Sequence, residues 1–389
     1  MPSSEIVFAL CVVFTGAAIF ATAALFARQA MIVAYIAVGA LCGPGALGLV
    51  RDTGWLSEVA EVGIMFLLYL LGMNMAPRQL LQTLQEALAV TLGSSVLLCA
   101  LGAALAFGLG FTPAECLIIG AAMMFSSTII GLKLLPTTTL HHQRMGQVMI
   151  SVLLLQDLLA IGVLMALRVS ALEEGGALAV VRQLLGFPLL MAVAWALERW
   201  LIEPLLIRFD RIHEYMFLLV IAWCLAMAEL AGALGLSHEI GAFIAGVALA
   251  NCPAALYLAD ALRPLRDFFL ILFFFALGAG LDPAQLGSAV PAAALIGAAM
   301  LVAKPLCFRW WLRRAGETPE FAAQTGVRLG QISEFGLLIA LAAVTAGVIG
   351  KQAALVIQLA AVITFVVSSY LIVLNYPTPI AVREDLRQD

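Results

Sequence analysis

Apolar residues run along this chain in stretches of about 20, the length that a helix needs to cross the hydrocarbon core of a bilayer. Barrel strands would alternate over about 10 residues, and the sequence has no such pattern. The pattern therefore predicts an all-α integral membrane protein of about 13 spanning helices, the ninth short and glycine-rich. The segments are Ile6–Phe26, Met31–Val50, Leu56–Met73, Ala87–Phe107, Ala114–Leu135, Gly146–Leu167, Ala177–Leu197, Tyr215–Ala233, Glu239–Asn251, Asp267–Leu281, Ala289–Phe308, Phe321–Thr345 and Gln352–Leu374.

Polar residues interrupt the fifth and twelfth of these segments. The fifth contains Ser126, Ser127 and Thr128, and the twelfth contains the polar run 326–336. Hydroxyls, glycines and charges at membrane depth are typical of unwound backbone. Because the two are seven segments apart in the order of the chain, they enter the membrane from opposite sides, which predicts inverted repeats from segments 4–6 and 11–13. The alternative is that these small residues only let helices pack closely.

Composition agrees with a membrane protein that is not an enzyme. Of 389 residues, 63% are hydrophobic and 11% charged, whereas a soluble domain is about 25% charged. No basic tract suits nucleic acid, and the sequence has no HExxH, no GxSxG and no paired catalytic aspartates. No cofactor is expected. The seven cysteines have no CxxC spacing and are expected to fill the core.

Basic residues predict the orientation, because cytoplasmic loops are enriched in lysine and arginine. With the N-terminus outside, four basic residues fall on the outer side: Arg51, Arg168, Arg182 and Lys351. Thirteen fall on the inner side: Arg28, Arg78, Arg144, Arg199, Arg208, Arg211, Arg263, Arg266, Arg309, Arg313, Arg314, Arg383 and Arg387. The C-terminus is therefore expected to be cytoplasmic.

Asp157 lies within a segment that is otherwise apolar enough to cross the membrane. A carboxylate near the bilayer centre costs roughly 2.5–3.5 kcal/mol, so it is expected to face protein or water and to carry function. Asp157 and its neighbour Gln156 offer oxygens to a monovalent cation, as do the hydroxyls of Ser126, Ser127 and Thr128. The same carboxylate can bind a proton instead. The alternative is an aspartate that only ties helices together.

Lys304 and a cluster in segment 12 are the remaining charges at depth. Lys304 is expected to neutralise Asp157, or to bind the backbone ends of a broken helix, or to snorkel to the inner face beside Arg309. Glu334 is a transport or structural candidate with Gln331 and Ser333, and Arg328 lies six residues before it. His238 and Glu239 open the ninth segment, where they either sense pH or serve as a cap.

These residues make the chain resemble the monovalent cation:proton antiporters, most closely the Kef-type potassium-efflux branch. The resemblance covers nearly the whole chain. The matching elements are Phe125-Ser-Ser-Thr128, Leu155-Gln-Asp-Leu158, the stretch Leu234 to Gly246, the stretch Phe273 to Asp282, and Gly330-Gln-Ile-Ser-Glu-Phe335. Together and in this order these motifs are specific, whereas each alone is weak.

The resemblance implies a sodium/proton-antiporter fold with two crossed discontinuous helices over residues 1–376. It implies a dimerisation half (about 5–75 and 213–282), an ion-transport core (about 87–168 and 289–375) and a linker helix (about 177–200). A homodimer working by an elevator motion is expected. Kef-type proteins commonly continue into a cytosolic nucleotide-binding regulatory domain. Residues 377–389 are therefore expected to be a cytoplasmic tail or the start of a linker to a domain that this chain lacks.

The resulting hypothesis is a bacterial inner-membrane antiporter that exchanges K⁺ or Na⁺, with K⁺ favoured, for H⁺ at Asp157. Gln156 in place of a second acid implies electroneutral exchange, whereas Lys304 is typical of electrogenic relatives, so the stoichiometry stays open. The alternatives are a ligand-gated potassium-efflux channel and a sodium-coupled organic solute symporter. Selectivity, gating ligand and direction of transport are not readable from the sequence.

Overall fold

The computed structural model describes residues 3–29, 31–50, 54–73, 77–134, 144–170, 176–250, 252, 254–281 and 283–378. Throughout this part of the chain the extended regular elements are helices. A helix satisfies every backbone hydrogen bond within its own segment, which is what an apolar stretch in lipid requires. The predicted tail beyond Thr378 and the predicted end of segment 5 at Leu135 lie outside the described residues.

The helices alternate with short connections in the order that the apolar segments predict. They are α1 (Ser3–Phe26), α2 (Met31–Cys42), α3 (Gly54–Met73), α4 (Pro77–Gly108), α5 (Pro113–Met124), α6 (Thr128–Lys133), α7 (Arg144–Ser170), α8 (Gly176–Leu197), α9 (Glu203–Arg208), α10 (His213–Ala233), α11 (His238–Leu249), α12 (Ala255–Ala279), α13 (Pro283–Arg314), α14 (Pro319–Arg328), α15 (Glu334–Thr345) and α16 (Lys351–Asn375). A π-helical turn, Glu198–Ile202, joins α8 to α9.

Eight helices of the described chain are long and apolar enough to cross a membrane, and α2, α5, α11 and α15 are shorter apolar helices. Three predicted boundaries were wrong by eight residues or more. The fourth segment was expected to begin at Ala87, but α4 begins at Pro77. The second segment was expected to reach Val50, but α2 ends at Cys42, before Gly43 and Pro44. The tenth was expected to begin at Asp267, but α12 begins at Ala255. Its polar end, including Arg263 and Arg266, is therefore helix rather than the inner loop to which these arginines were assigned.

The chain divides into two compact units, and the first comprises residues 1–16, 38–81 and 168–280. In this unit α3 packs against α11 and α12, and α10 packs against α11. Gly246 on α11 permits the closest approach, because a Cβ there would lie 2.0 Å from the main-chain oxygen of Tyr69. Small residues at helix interfaces are how membrane helices approach closely.

The second unit comprises residues 17–37, 82–167 and 281–389. Here α13 packs against α14 and α16, and α15 packs against α5 and α16. Gly336 permits α15 to lie against α5, because a Cβ there would lie 2.8 Å from the main-chain oxygen of Ala122. This unit contains both interrupted helices. That one half serves dimerisation and the other transport stays a prediction.

Candidate functional site

The first interrupted helix consists of α5 and α6. Thr112 and Glu115 form a capping box at the start of α5, which fixes where the helix begins. The helix ends at Met124, and the extended backbone at Phe125 (φ −84°, ψ 149°) opens the break. Helix α6 restarts at Thr128, and the Ser127 hydroxyl accepts a hydrogen bond of 3.1 Å from the N–H of Ile130. The Ser-Ser-Thr run therefore interrupts the helix, and Ser127 caps the helix that restarts at Thr128.

The second interrupted helix consists of α14 and α15, separated by 329–333. The Thr318 hydroxyl caps α14 by accepting a hydrogen bond from the N–H of Phe321. Ser333 caps α15, where its hydroxyl accepts a hydrogen bond of 3.1 Å from the N–H of Phe335. Both interruptions predicted from the sequence are therefore confirmed, and Ser333 has a capping role.

The two breaks contact one another inside the second unit. Ser126 donates from its hydroxyl to the main-chain oxygen of Leu329 over 2.8 Å. Gln331 donates from its amide to the main-chain oxygen of Ser127 over 3.3 Å. All four residues are buried. The oxygen of Leu329 gains a partner that an unwound backbone needs, whereas the oxygen of Ser127 also accepts a hydrogen bond of 3.0 Å from the N–H of Gly131. Direct hydrogen bonds between the two unwound stretches, 125–127 and 329–333, therefore hold the crossing together.

Helix α16 supports the crossing through residues that the sequence analysis missed. The Thr364 hydroxyl accepts a hydrogen bond of 3.1 Å from the N–H of Ile332. The Ser368 hydroxyl donates to the side-chain oxygen of Gln331 over 3.1 Å. Thr364 and Ser368 lie four residues apart on one helix face. Two hydroxyl residues at this spacing inside an apolar segment were the sequence signal that could have identified them as contacts of the crossing.

Asp157 projects from α7 towards the first break and is 1% exposed. The Thr128 hydroxyl, at the start of α6, donates to its carboxylate over 3.3 Å to one oxygen and 3.5 Å to the other. Glu334, at the start of α15, is also buried. A carboxylate, a hydroxyl and unwound backbone therefore meet at one point, and such oxygens are the ligands that hard cations prefer.

Gln156 makes different contacts from its neighbour Asp157. Its side-chain oxygen accepts a hydrogen bond of 2.9 Å from the N–H of Ser126, and its amide donates to the main-chain oxygen of Met124 over 3.2 Å. The residue was predicted as a cation ligand. Both ends of its amide hold the backbone where α5 ends and the break begins, and its role as a cation ligand stays a prediction.

Lys304 projects from α13 and is fully buried. Its ammonium donates to the main-chain oxygens of Met123, over 3.3 Å, and Phe125. These carbonyls lie at the C-terminal end of α5, where the helix dipole favours a cation. Of the three positions considered for Lys304, binding at the backbone end of a broken helix is the one observed, and its ammonium does not snorkel.

Arg328 ends α14 and is 1% exposed. Its guanidinium donates to the main-chain oxygens of Leu134 over 2.8 Å and Pro377 over 2.7 Å. It therefore joins both interrupted helices to the backbone that follows α16. The fork of the guanidinium suits two acceptors at once.

His238 and Glu239 belong to the other compact unit. Ser237 caps α11, and both residues lie in the first turn of that helix. His238 is exposed, and its Nε2 lies 3.6 Å from a carboxylate oxygen of Glu229 on α10. Their proposed pH-sensing role stays a prediction.

Known proteins similar to this chain are membrane transporters. Residues 10–374 match the family described as sodium/hydrogen exchanger, transmembrane. A putative K(+) efflux antiporter, KefB, of Alkalimonas amylolytica is 29% identical over 88% of this chain and 52% of its own length. The iron transporter MagA of Paramagnetospirillum magneticum is 26% identical over 87% of this chain and 78% of its own. The chain thus spans about half the length of KefB.

A solved structure has the same fold. The sodium proton antiporter MjNhaP1 from Methanocaldococcus jannaschii superposes with a TM-score of 0.69 over 94% of this chain and 96% of its own, at 16% identity. The predicted all-helical antiporter fold and the predicted resemblance to Kef-type antiporters are both confirmed. This chain belongs to the sodium/hydrogen exchanger family of multi-pass membrane transporters.

Proposed function

We propose that this chain exchanges a monovalent cation for a proton, with Asp157 as the group that binds one or the other. The observation that carries the proposal is the position of Asp157, a buried carboxylate beside the crossing of two unwound helices. In secondary transporters with inverted repeats, substrate ions bind near the bilayer midplane where broken helices meet. A buried acid at that point is retained for function, since its burial is costly.

Competition at one carboxylate is enough to couple the two fluxes. When Asp157 holds a proton it has lost the negative charge that attracts a cation. When it holds a cation it has no room for the proton. If only the occupied site moves between the two faces of the membrane, cation movement in one direction is coupled to proton movement in the other. Thr128 supplies a neutral oxygen next to the carboxylate.

Potassium is the favoured cation, with sodium as the alternative. The support is the relative KefB, described as a putative K(+) efflux antiporter. MagA is described as an iron transporter, so iron is included in the test. Iron sites commonly use several imidazole, thiolate or carboxylate ligands. The described residues contain no cluster of three or more histidine, cysteine or acidic side chains that would hold a metal ion, and this favours a monovalent ion.

The wider context of transport is part of the same proposal. The chain works as a homodimer in a bacterial inner membrane, with the N-terminus outside and the C-terminus cytoplasmic. The core, with the crossing, slides against a dimerisation half in an elevator motion. The orientation is supported by the excess of arginine on the predicted inner side. A cytosolic regulatory domain acts on it where the full-length protein has one.

The test is ion-driven proton movement in proteoliposomes that contain a pH-sensitive dye. Wild-type protein is expected to respond to K⁺ or Na⁺, and Asp157→Asn to give no response although it folds. Asp210→Asn, an exposed acid in the loop after α9, is the matched control and is expected to behave as wild type. Undiminished exchange by Asp157→Asn would refute Asp157 as the ion-binding residue. A response to ferrous iron alone would show that iron, and not K⁺ or Na⁺, is the transported cation.

A channel is distinguished from an exchanger by the same vesicles. An exchanger accumulates cation against its gradient when a pH gradient is imposed, and it carries no single-channel current. A pore dissipates the cation gradient whatever the pH. Current steps in a planar bilayer, without uphill cation uptake, would decide for the channel.

A further inference from the structure

A cavity of about 490 Å³ lies in the first unit between α8 and α11, well apart in sequence from the interrupted helices. Its apolar wall includes Met191 and Trp195 on α8 and Ala248 on α11. Its polar lining comes from one short stretch of chain, with Glu198, Arg199 and Glu203. Three charged side chains around an otherwise apolar cavity suggest that the cavity binds a polar ligand.

The π-helical turn explains why these charges converge. In an α-helix, residues five positions apart lie roughly 140° apart around the axis. In the turn Glu198–Ile202 the N–H of Glu203 instead donates to the main-chain oxygen of Glu198. An i-to-i+5 bond places those two residues one above the other on the same side. Such single π turns occur often at functional sites.

The charges within the cavity do not balance. Arg199 pairs with Glu203, with 2.9 Å between guanidinium and carboxylate. Glu198 is 7% exposed and lines the cavity beside Arg199, whose guanidinium is paired with Glu203. Two carboxylates and one guanidinium leave one negative charge. A mostly buried carboxylate is unfavourable without a full charge partner, so an added cation with N–H groups would stabilise it.

Two tryptophans indicate the depth of the cavity in the bilayer. Trp195 lies before the π turn and Trp200 lies within it, and both project from the protein surface, 62% and 75% exposed. Tryptophan is enriched at the level of the lipid headgroups. Glu198 and Arg199 lie between them along the chain. A ligand that enters here from the membrane would therefore present its headgroup to these charges.

We propose that this cavity binds the headgroup of phosphatidylethanolamine. The primary ammonium donates to the carboxylate of Glu198, the phosphate accepts from Arg199, and an acyl chain lies along Met191 and Trp195. The ammonium meets the excess negative charge of the lining, and the phosphate shares the guanidinium of Arg199 with Glu203. Phosphatidylcholine has a cationic nitrogen without N–H donors, and phosphatidylglycerol has no cation, so neither supplies what Glu198 lacks.

The test measures lipid retention by the purified full chain. Delipidated protein is incubated with phosphatidylethanolamine, phosphatidylcholine or phosphatidylglycerol of matched acyl chains, and bound lipid is counted by native mass spectrometry. Wild type is expected to retain phosphatidylethanolamine about tenfold better than the other two, which corresponds to roughly one hydrogen bond to a charged group.

Three variants make the result specific. Glu198→Gln removes the charge but keeps the shape, and Ala248→Phe fills the cavity without changing any charge. Both are expected to lose the preference, while Glu214→Gln, an exposed acid on α10, keeps it. If Glu198→Gln does not fold, Ala248→Phe decides alone. Equal retention of the three lipids by wild type, or an unchanged preference in Ala248→Phe, overturns the proposal. Lipid binding is read independently of ion transport.

Discussion

The side-chain oxygen of Gln156 accepts a hydrogen bond of 2.9 Å from the backbone N–H of Ser126, at the point where the first interrupted helix loses its regular bonds. The amide of the same side chain donates to the main-chain oxygen of Met124. One side chain thus satisfies a donor and an acceptor that unwinding exposes. Its neighbour Asp157 remains directed at Thr128. Adjacent residues on α7 therefore differ in what they contact: Gln156 holds the break, and Asp157 faces the hydroxyl of Thr128.

Gln156→Leu should destabilise the fold, because it leaves the N–H of Ser126 and the carbonyl of Met124 buried without partners. The expected loss is about 2–4 kcal/mol of unfolding free energy, measured by thermal unfolding in detergent. Gln147→Leu, an exposed position on the same helix, is the control and should change little. Equal stability of the two variants would show that Gln156 does not hold the break.

Thr128→Val should weaken cation binding while preserving the shape of the side chain. The hydroxyl that faces Asp157 at 3.3 Å is lost, so the apparent KM for the cation should rise about tenfold or more, the effect of roughly one hydrogen bond to a charged group. The maximal rate should change less. Thr128→Ser retains the hydroxyl and should restore a near wild-type KM. An unaltered KM in the valine variant would show that Thr128 does not contribute to cation binding.

Lys304→Met should lower stability more than it alters coupling. The ammonium donates to carbonyls of Met123 and Phe125, and its loss leaves them unsatisfied at the negative end of a helix dipole. We expect a lower unfolding temperature, with the remaining folded protein still exchanging cation for proton. Lys304→Arg should recover part of the stability. Abolished exchange at wild-type stability would instead mean that Lys304 acts on the ion.

Arg328→Gln should loosen the end of the first interrupted helix, because the guanidinium bridges the carbonyls of Leu134 and Pro377. Amide hydrogen exchange over residues 128–134 should become faster, and the unfolding temperature should fall. Arg309→Gln removes an exposed arginine on α13 and serves as the control. Unchanged exchange in that segment would contradict a bridging role.

The sequence alone determined the helical membrane fold, the two interruptions and the charged residues at depth. These follow from local properties: apolar length sets the spans, and polar or small residues within a span weaken the helix. Asp157 could be identified as a candidate site residue for the same reason, because an acid within an apolar segment is visible in the sequence without knowledge of its contacts.

Only the tertiary structure decided what each polar group binds. Ser126 and Leu329 are separated by 203 positions, and Lys304 and Phe125 by 179. No local pattern specifies such pairs, because they depend on how helices cross. Gln156 and Asp157 are adjacent polar residues, yet successive residues on a helix point in directions about 100° apart. That rotation directs one side chain to the broken backbone and the other to the hydroxyl of Thr128.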